Sequence, residues 1–314
     1  MQAANLHTSV LLDESIEALN ISADGLYLDG TFGRGGHSKE ILAKLSDEGV
    51  LIGLDRDLSA IEYGRKFFAK KAQLRLLHTD FANALSGLRA HGFPEKFDGI
   101  LFDLGVSSPQ LDEAQRGFSF LRDGPLDMRM DSSQGQTAAE LLADIEENDL
   151  ANIIFKLGEE KFSRKIARAI IERRVEEPLV STAQLVTLLE EVITRREKHK
   201  HPATRTFLAL RMYINDELGQ VEAMLPQAVS MLKPGGRLAV ISFHSREDRI
   251  VKRFFKELVV GPKLPKRLPV QEAFSAPIKL IGKAIKPSLS ELQVNPRARS
   301  AILRVAERTE VEYA

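Results

Sequence analysis

Four aspartates in the first third of this chain share one position, the downstream end of a short apolar run. Leu26-Tyr27-Leu28 runs into Asp29, Val50-Leu51-Ile52-Gly53-Leu54 into Asp55, Leu74 to Leu77 toward Asp80, and Gly99-Ile100-Leu101-Phe102 into Asp103. A carboxylate placed there can accept hydroxyl or ammonium hydrogens from a ligand. Directly after Asp29 comes Gly30-Thr31-Phe32-Gly33-Arg34-Gly35-Gly36-His37, where Gly33, Gly35 and Gly36 let backbone N–H groups approach a ligand at a helix start. A plain tight turn fits those residues equally well. The run also departs from G-x-G-x-x-G, because its third glycine is misplaced. Asp55 adds weight: it lies 19 residues beyond Gly36, near the ~20 expected of a carboxylate that grips ribose hydroxyls.

Two nucleoside cofactors suit such a carboxylate. NAD requires close approach to a pyrophosphate, which an acid at Asp29 would repel. S-adenosylmethionine carries an amino-acid tail whose ammonium Asp29 could meet, so the residues favour the sulfonium compound. Asp80-Phe81 suits an adenine with an aromatic neighbour, although Phe81 also reads as ordinary core. The segment Asp103-Leu104-Gly105-Val106-Ser107-Ser108-Pro109-Gln110 falls where donor and acceptor would meet. Amino methyltransferases commonly carry Asp-Pro-Pro-aromatic there. This chain keeps only the acid and a nearby proline, and a helix-capping Ser–Ser turn is the alternative.

Composition removes several chemistries. With no cysteine, the chain has no thiolate-held zinc, no iron–sulfur cluster and no thiolate nucleophile. Methylation at C5 of a pyrimidine needs such a nucleophile, so a methyl acceptor must bring its own lone pair. His37 and His244 lack companion ligands at usable spacing, and no metal is expected. Lys plus Arg equals Asp plus Glu at 44 each, which excludes a chain-wide basic field. Two local patches stand out. Arg195 to Arg211 holds six basic residues against Glu197 alone, and His244 to Arg267 holds eight against three acids. Both suit phosphate contacts, and both also fit solvated helix faces.

These residues need elements to hold them. Apolar runs alternating with helical spacing from Gly25 to Phe102 imply βαβ units and a parallel sheet, with ligands beyond the carboxyl ends of its strands. A helix is expected from Ser38 to about Leu45. The alternation stops at about Glu113. Helical spacing then covers Asn148–Leu157, Glu160–Arg174 and Thr182–Arg195, the second with a Phe162, Ile166, Ile170 core stripe beside a wet face. The α/β pattern resumes with a helix at Glu217–Leu232, a turn at Lys233-Pro234-Gly235-Gly236 and a strand at Leu238–Phe243. A hairpin-like pair, Ile278–Ile285 and Ser300–Ala306, closes the chain. The expected organisation is a discontinuous α/β domain, 1–112 with 208–314, interrupted by a helical domain at 113–207. No run approaches the ~20 apolar residues of a membrane span, and the start lacks a basic n-region with an apolar h-region. Both point to the cytoplasm.

Six blocks of this chain together resemble one family: Asp29 to His37; Asp103 to Gln110; Gly124-Pro125-Leu126-Asp127-Met128-Arg129-Met130; His201-Pro202-Ala203-Thr204-Arg205-Thr206-Phe207; Ser242-Phe243-His244-Ser245; and Asn295-Pro296-Arg297-Ala298-Arg299-Ser300. They are similar to the bacterial 16S rRNA cytosine-N4 methyltransferases, the RsmH or MraW family, over nearly the whole chain. The resemblance implies a class I S-adenosylmethionine-dependent methyltransferase (Rossmann-like) sheet with an inserted helical domain. It also implies methylation of N4 of a decoding-region (P-site) cytidine in 16S rRNA, within the small ribosomal subunit, and leaves room for a homodimer. Family cofactor contacts fall on Gly35, Gly36, His37, Asp55, Phe81, Asp103 and Gln110, and Gln110 is not a position the residues alone single out. Asp103, Ser107 and Ser108 are the expected catalytic residues, and the inserted domain is expected to recognise substrate. Arg205, His244, Arg297 and Arg299 are expected to contact the RNA. Arg246 is a departure, standing in the Ser-Phe-His-Ser-x-Glu-Asp block where an apolar residue is expected.

Three rival readings differ in substrate or class. A DNA or protein amino methyltransferase would share the cofactor, and the Gly124–Met130 block with the Arg195–Arg211 patch argues against it. A non-catalytic ribosome-binding protein would have no need for Asp55 or the glycine turn. An NAD dehydrogenase conflicts with Asp29.

Overall fold

The computed structural model describes residues 9–194, 201–262 and 274–313. The chain divides into two compact units, Met1–Gly105 with Leu218–Ala314, and Val106–Glu217.

The first unit opens with helix α1 (Leu12–Leu19), then β1 (Leu26–Asp29), α2 (Gly36–Lys44), β2 (Val50–Asp55), α3 (Leu58–Phe67), β3 (Leu74–His78), α4 (Ala84–Ala90) and β4 (Phe97–Asp103). In the second unit lie α5 (Ser108–Asp112), α6 (Ala138–Asp144), α7 (Glu147–Gly158), α8 (Ser163–Glu176), α9 (Thr182–Val192) and α10 (Ala203–Ile214). The chain then returns through α11 (Glu217–Met231), β5 (Leu232–Ser242), α12 (Ser245–Val260), β6 (Ile278–Leu280), α13 (Leu289–Val294) and β7 (Ile302–Arg308). One seven-stranded sheet runs β3-β2-β1-β4-β5-β7-β6, with β1 to β5 parallel and β7 antiparallel to both neighbours.

This order makes the sheet reverse direction at β1, which pairs with β2 on one side and β4 on the other. Ligands of open α/β sheets bind at such a switch point, beyond the strand ends. Both faces are covered, which is why the strands read as continuous apolar runs. Leu28, Ile52, Leu54, Ile100, Phe102 and Val240 pack on one side with residues of α4, α11 and α12. Tyr27, Leu51, Leu101, Ala239 and Ile241 pack on the other with residues of α1 and α2. At roughly 1.5–3 kcal/mol per fully buried large side chain, this packing is what fixes the strand ends in place.

The strand order and the mixed parallel and antiparallel sheet match the expected class I methyltransferase fold. Several boundaries move. The helix expected from Ser38 starts at Gly36, because Gly35 supplies a left-handed cap (φ 72°). Lys233 to Gly236 forms no free turn: β5 is continuous across it, and the excess bulges out between the pairs Phe97↔Leu232 and Gly99↔Arg237. The closing pair forms, but β7 also inserts beside β5, and α13 separates its two strands.

The second unit is helical around Leu141, Leu150, Ile154, Ile166, Leu185, Leu189, Phe207 and Leu210. Here α8 begins at Ser163, because buried Glu160 accepts the Phe162 N–H at 2.8 Å and turns the chain first. Ile166 and Ile170 are fully buried as the core stripe requires, whereas Phe162 precedes the helix and is 39% exposed. The helix expected to reach Arg195 ends at Val192. No helix among the described residues is long and apolar enough to cross a membrane.

Candidate active site

The segment after β1 is held by the ends of its two neighbouring strands. Gly30 N–H donates to the Leu101 carbonyl (2.9 Å) and Phe32 N–H to the Leu54 carbonyl (2.8 Å). A Cβ on Gly30 would stand 2.1 Å from the Phe102 ring, so glycine is needed for this close approach. Gly33 and Gly35 take positive φ values of 54° and 72°, a region that glycine enters at no steric cost. The space beside Gly33 is open: a Cβ there would meet nothing nearer than the Thr31 carbonyl at 3.9 Å.

Three aspartates close around this turn. Asp29 is 1% exposed; its Oδ1 accepts the Thr31 N–H (3.1 Å) and its Oδ2 the Ser38 hydroxyl (2.6 Å). Burial raises its pKa to about 6 despite those donors. Asp55 accepts the Gly33 N–H on Oδ2 (2.7 Å) and the Asp57 N–H on Oδ1 (2.8 Å). Burial, reinforced by the nearby Asp57 and Asp29 charges, raises it too to about 6. Asp103 ends β4, where its backbone N–H donates to the Thr31 hydroxyl (2.6 Å). Burial first, then the charges of Asp29 and Glu247, push its carboxyl well above the ordinary range. Its Oδ1 is buried and accepts no hydrogen bond from any described residue.

His37, 5% exposed, stands at the start of α2 with Nε2 3.1 Å from the Val10 carbonyl and Nδ1 3.8 Å from Asp103 Oδ2. A carbonyl can only accept, so Nε2 carries the hydrogen and a neutral ring turns its Nδ1 lone pair toward Asp103.

The crevice fits S-adenosylmethionine. Three clustered carboxylates, with the Asp29 charge raising the pKa of both Asp55 and Asp103, favour a ligand bearing positive charge and oppose a pyrophosphate. The donor carries both a sulfonium and an ammonium. Asp55 retains lone pairs for ribose hydroxyls, and the open space beside Gly33 admits a chain passing the turn. Phe81 lies in a short 3-10 turn whose start Asp80 caps by accepting the Asn83 N–H (2.8 Å). Its ring is half-buried, edge-on to Phe102 at 5.8 Å, so one side packs as core while the other stays open to a neighbour. Among the described residues no group of three or more His, Cys, Asp or Glu could hold a metal ion.

The expected RNA contacts of this unit are distributed differently. His244 caps α12: its Nδ1 accepts the Arg246 N–H (3.3 Å), while buried Glu247 accepts the Phe243 and His244 N–H groups at 2.9 Å each. Arg297 and Arg299 are exposed on either side of buried Ala298 in the short turn Pro296–Ser300. Of the patch His244 to Arg267, Arg249, Lys252, Arg253 and Lys256 lie exposed on α12, while Lys263, Lys266 and Arg267 lie outside the described residues.

Four expected residues belong to the second unit. Ser107 caps α5 with its N–H donating to Gln110 Oε1 (2.9 Å), Ser108 opens the helix, and Gln110 is 5% exposed. The capping alternative for the Ser–Ser turn is thus realised. Arg205 reaches buried Glu160 at 3.6 Å. Arg211, of the same patch, makes a two-pronged pair with Glu217 at 2.6 and 2.7 Å, and Arg195 to Lys200 lie outside the described residues. The block Gly124 to Met130 is structural: Asp127 holds Arg129 in a fork at 2.8 Å on each prong, and buried Asn215 bridges the Met128 carbonyl and the Met130 N–H.

Sequence reasoning passed over Thr31, Ser38 and Glu247. Thr31 and Ser38 sit inside or just after the glycine run, and Glu247 stands three residues beyond His244, the spacing of a capping box. That spacing was the available signal.

A family model described as the MraW methylase family matches residues 4–309. A ribosomal RNA small subunit methyltransferase H of Shewanella frigidimarina is 52% identical over 305 residues, covering 96% of this chain and 97% of its own. Its namesake from Pseudoalteromonas atlantica is 53% identical over 308 residues, covering 96% and 98%. Solved structures are more distant. A putative methyltransferase from Streptococcus mutans in complex with SAH aligns over 96% of this chain and 99% of its own at TM-score 0.43 and 11% identity, too remote to bear on the site.

Proposed function

Because this chain belongs to the MraW methylase family, we propose that it methylates the exocyclic N4 amine of a decoding-region (P-site) cytidine in 16S rRNA, with S-adenosylmethionine as donor. The observation that carries this reading is Asp103: a carboxylate at the end of β4, beside the glycine turn, with a buried Oδ1 that no described residue satisfies. A buried acceptor left unmade costs free energy that a ligand N–H can recover. The high identity to proteins named as small-subunit rRNA methyltransferases supports the substrate class.

When bound, S-adenosylmethionine supplies an electrophilic methyl group. Asp55 would hold its ribose hydroxyls, the N–H groups of the glycine turn and Asp29 would hold its amino-acid end, and Phe81 would hold its base. The cytosine amine is a poor nucleophile, since its lone pair is delocalised into the ring. Asp103 Oδ1 accepts an N4–H, which draws electron density onto nitrogen and stabilises the positive charge that develops there. The raised basicity of this half-buried carboxylate suits it to hold the proton that N4 must lose, with His37 Nδ1 beside it. Positioning does most of the work. With no cysteine in the chain, transfer is direct and forms no thiolate adduct with the base. Ser107, Ser108 and Gln110 shape the loop after β4, and extrusion of the cytidine brings its amine within reach. The helical unit recognises the RNA through Arg205, the first unit adds Arg297, Arg299 and His244 as contacts, and the protein acts in the cytoplasm on the small subunit.

The test uses labelled S-adenosylmethionine and small ribosomal subunits from cells lacking this protein, followed by nucleoside analysis of digested rRNA. Label in N4-methylcytidine is the expected result. Absence of label from both subunits and naked rRNA, with the donor still bound, overturns the substrate assignment.

A further inference from the structure

We infer that the exposed flank of α3 at Tyr63 and Phe67 is a stacking platform for single-stranded RNA, separate from the crevice that takes the methyl donor. Helix α3 is anchored through Ala60, Ile61 and Gly64, and Phe68 packs edge-on to Phe32 at 5.7 Å. Flanking that buried stripe is an aromatic pair that leads from the core edge out to solvent. Tyr63 and Phe67, one helical turn apart, stack at 4.1 Å and 21°, and Phe67 is 62% exposed. Cations bracket the pair: the Arg34 guanidinium lies 4.6 Å from the Tyr63 ring centre and Lys66 Nζ 5.8 Å from that of Phe67.

The stretch from Arg65 to Lys71 has four basic residues and no acid, with Lys70 and Lys71 exposed just past the helix. Cations near a helix C-terminus complement its dipole, but that does not account for an exposed Phe67 stacked on a half-buried Tyr63. Rings between cations present a π-face to a base and charge to its phosphates, the combination that binds single strands without sequence preference. An acidic or purely apolar partner would leave half of this chemistry unused. Arg34 lies between Gly33 and Gly35, so the platform continues from the turn of the candidate active site. The identity of the strand, rRNA next to the target base, rests on the proposed function; the platform itself does not.

The experiment titrates the full chain against a fluorescein-labelled oligouridylate by anisotropy, with thermal unfolding and sedimentation on every variant. Phe67→Ala and Phe67→Leu should each weaken binding about fivefold or more, and Phe67→Tyr should keep it within about twofold, because stacking rather than apolar bulk is at stake. The double variant K66A/K70A should lower the slope of log affinity against log salt by about 1.4. A wild type that does not bind the oligonucleotide, or a folded Phe67→Ala chain that binds it as wild type does, overturns the platform. A Phe67→Ala chain that changes sedimentation but not RNA affinity assigns the face to a second copy instead. Binding through Phe67 by a chain that methylates no rRNA keeps the platform and overturns the proposed function.

Discussion

Asp55 Oδ2 accepts the Gly33 N–H at 2.7 Å, tying the end of the second strand to the turn that follows the first. The same carboxylate is the proposed grip on the donor's ribose, so its two roles can be separated. Asp55→Asn keeps an oxygen for Gly33 but loses the acceptor for the Asp57 N–H, so it should cost less stability than Asp55→Ala while weakening S-adenosylhomocysteine at least tenfold. Asp55→Ala should abolish that binding and lower the melting temperature as well. Calorimetric titration beside thermal unfolding decides; tight binding by Asp55→Ala removes this residue from the site.

Asp103 is expected to act on the reaction more than on donor affinity. In Asp103→Asn, single-turnover methylation should fall by about 10²–10³, the scale of losing one preorganised electrostatic partner. Affinity for S-adenosylhomocysteine should change only a few-fold. Equal losses in both would make Asp103 a binding residue.

The buried acids predict a pH dependence whose sign follows from protons bound. Asp29 has a folded pKa of about 6 against an ordinary 3.8, so between those values the folded chain holds more protons than the unfolded one. Stability contributed by this group therefore falls as pH rises from about 4 to about 6. Asp29→Asn can still accept from Thr31 and donate to the Ser38 hydroxyl, and should flatten that part of the profile in urea unfolding. The ligand responds in the opposite sense. A cation prefers ionised partners, so S-adenosylmethionine should bind more weakly as pH drops below about 6, where Asp29 and Asp55 take up protons. An unchanged affinity across that range removes both acids from ligand contact.

Two glycines of the turn should fail differently. Gly33→Ala faces open space and carries only its positive φ, a cost of about 1–2 kcal/mol. Donor binding should drop more than stability. Gly35→Ala would also press a Cβ to 2.7 Å from Phe68 and 2.9 Å from Phe32, and should melt several degrees lower than Gly33→Ala. Thermal unfolding with and without S-adenosylhomocysteine reads both effects.

Arg205 holds a buried acid in the helical unit whether or not it also touches RNA. Arg205→Ala strands Glu160, which is 3% exposed, and should destabilise the fold by about 3 kcal/mol. Adding Glu160→Gln should restore most of that loss. A melting temperature unchanged in Arg205→Ala would leave RNA contact as its only role.

The order of elements, the sheet class and the crevice were legible because each rests on local pattern. Apolar runs buried on both faces reveal strands, and an acid at the end of such a run needs solvent or a ligand, so Asp29, Asp55 and Asp103 announced their places. The glycine turn was readable because positive φ demands residues without a Cβ. What stayed hidden depends on partners distant in sequence. Whether Arg205 is a phosphate contact or the counter-ion of Glu160 turns on α10 meeting the turn between α7 and α8, 45 residues away in the chain. That the His244 ring also caps α12 shows only in the fold, and the buried oxygen of Asp103 is defined only by donors that never arrive. Tyr63 and Phe67 continue the i, i+3, i+7 spacing of buried Ala60, so periodicity reads both as core, and only the packing leaves Phe67 62% exposed. Local chemistry wrote the strand ends and the turn into the sequence; packing decided which side chains were left over to act.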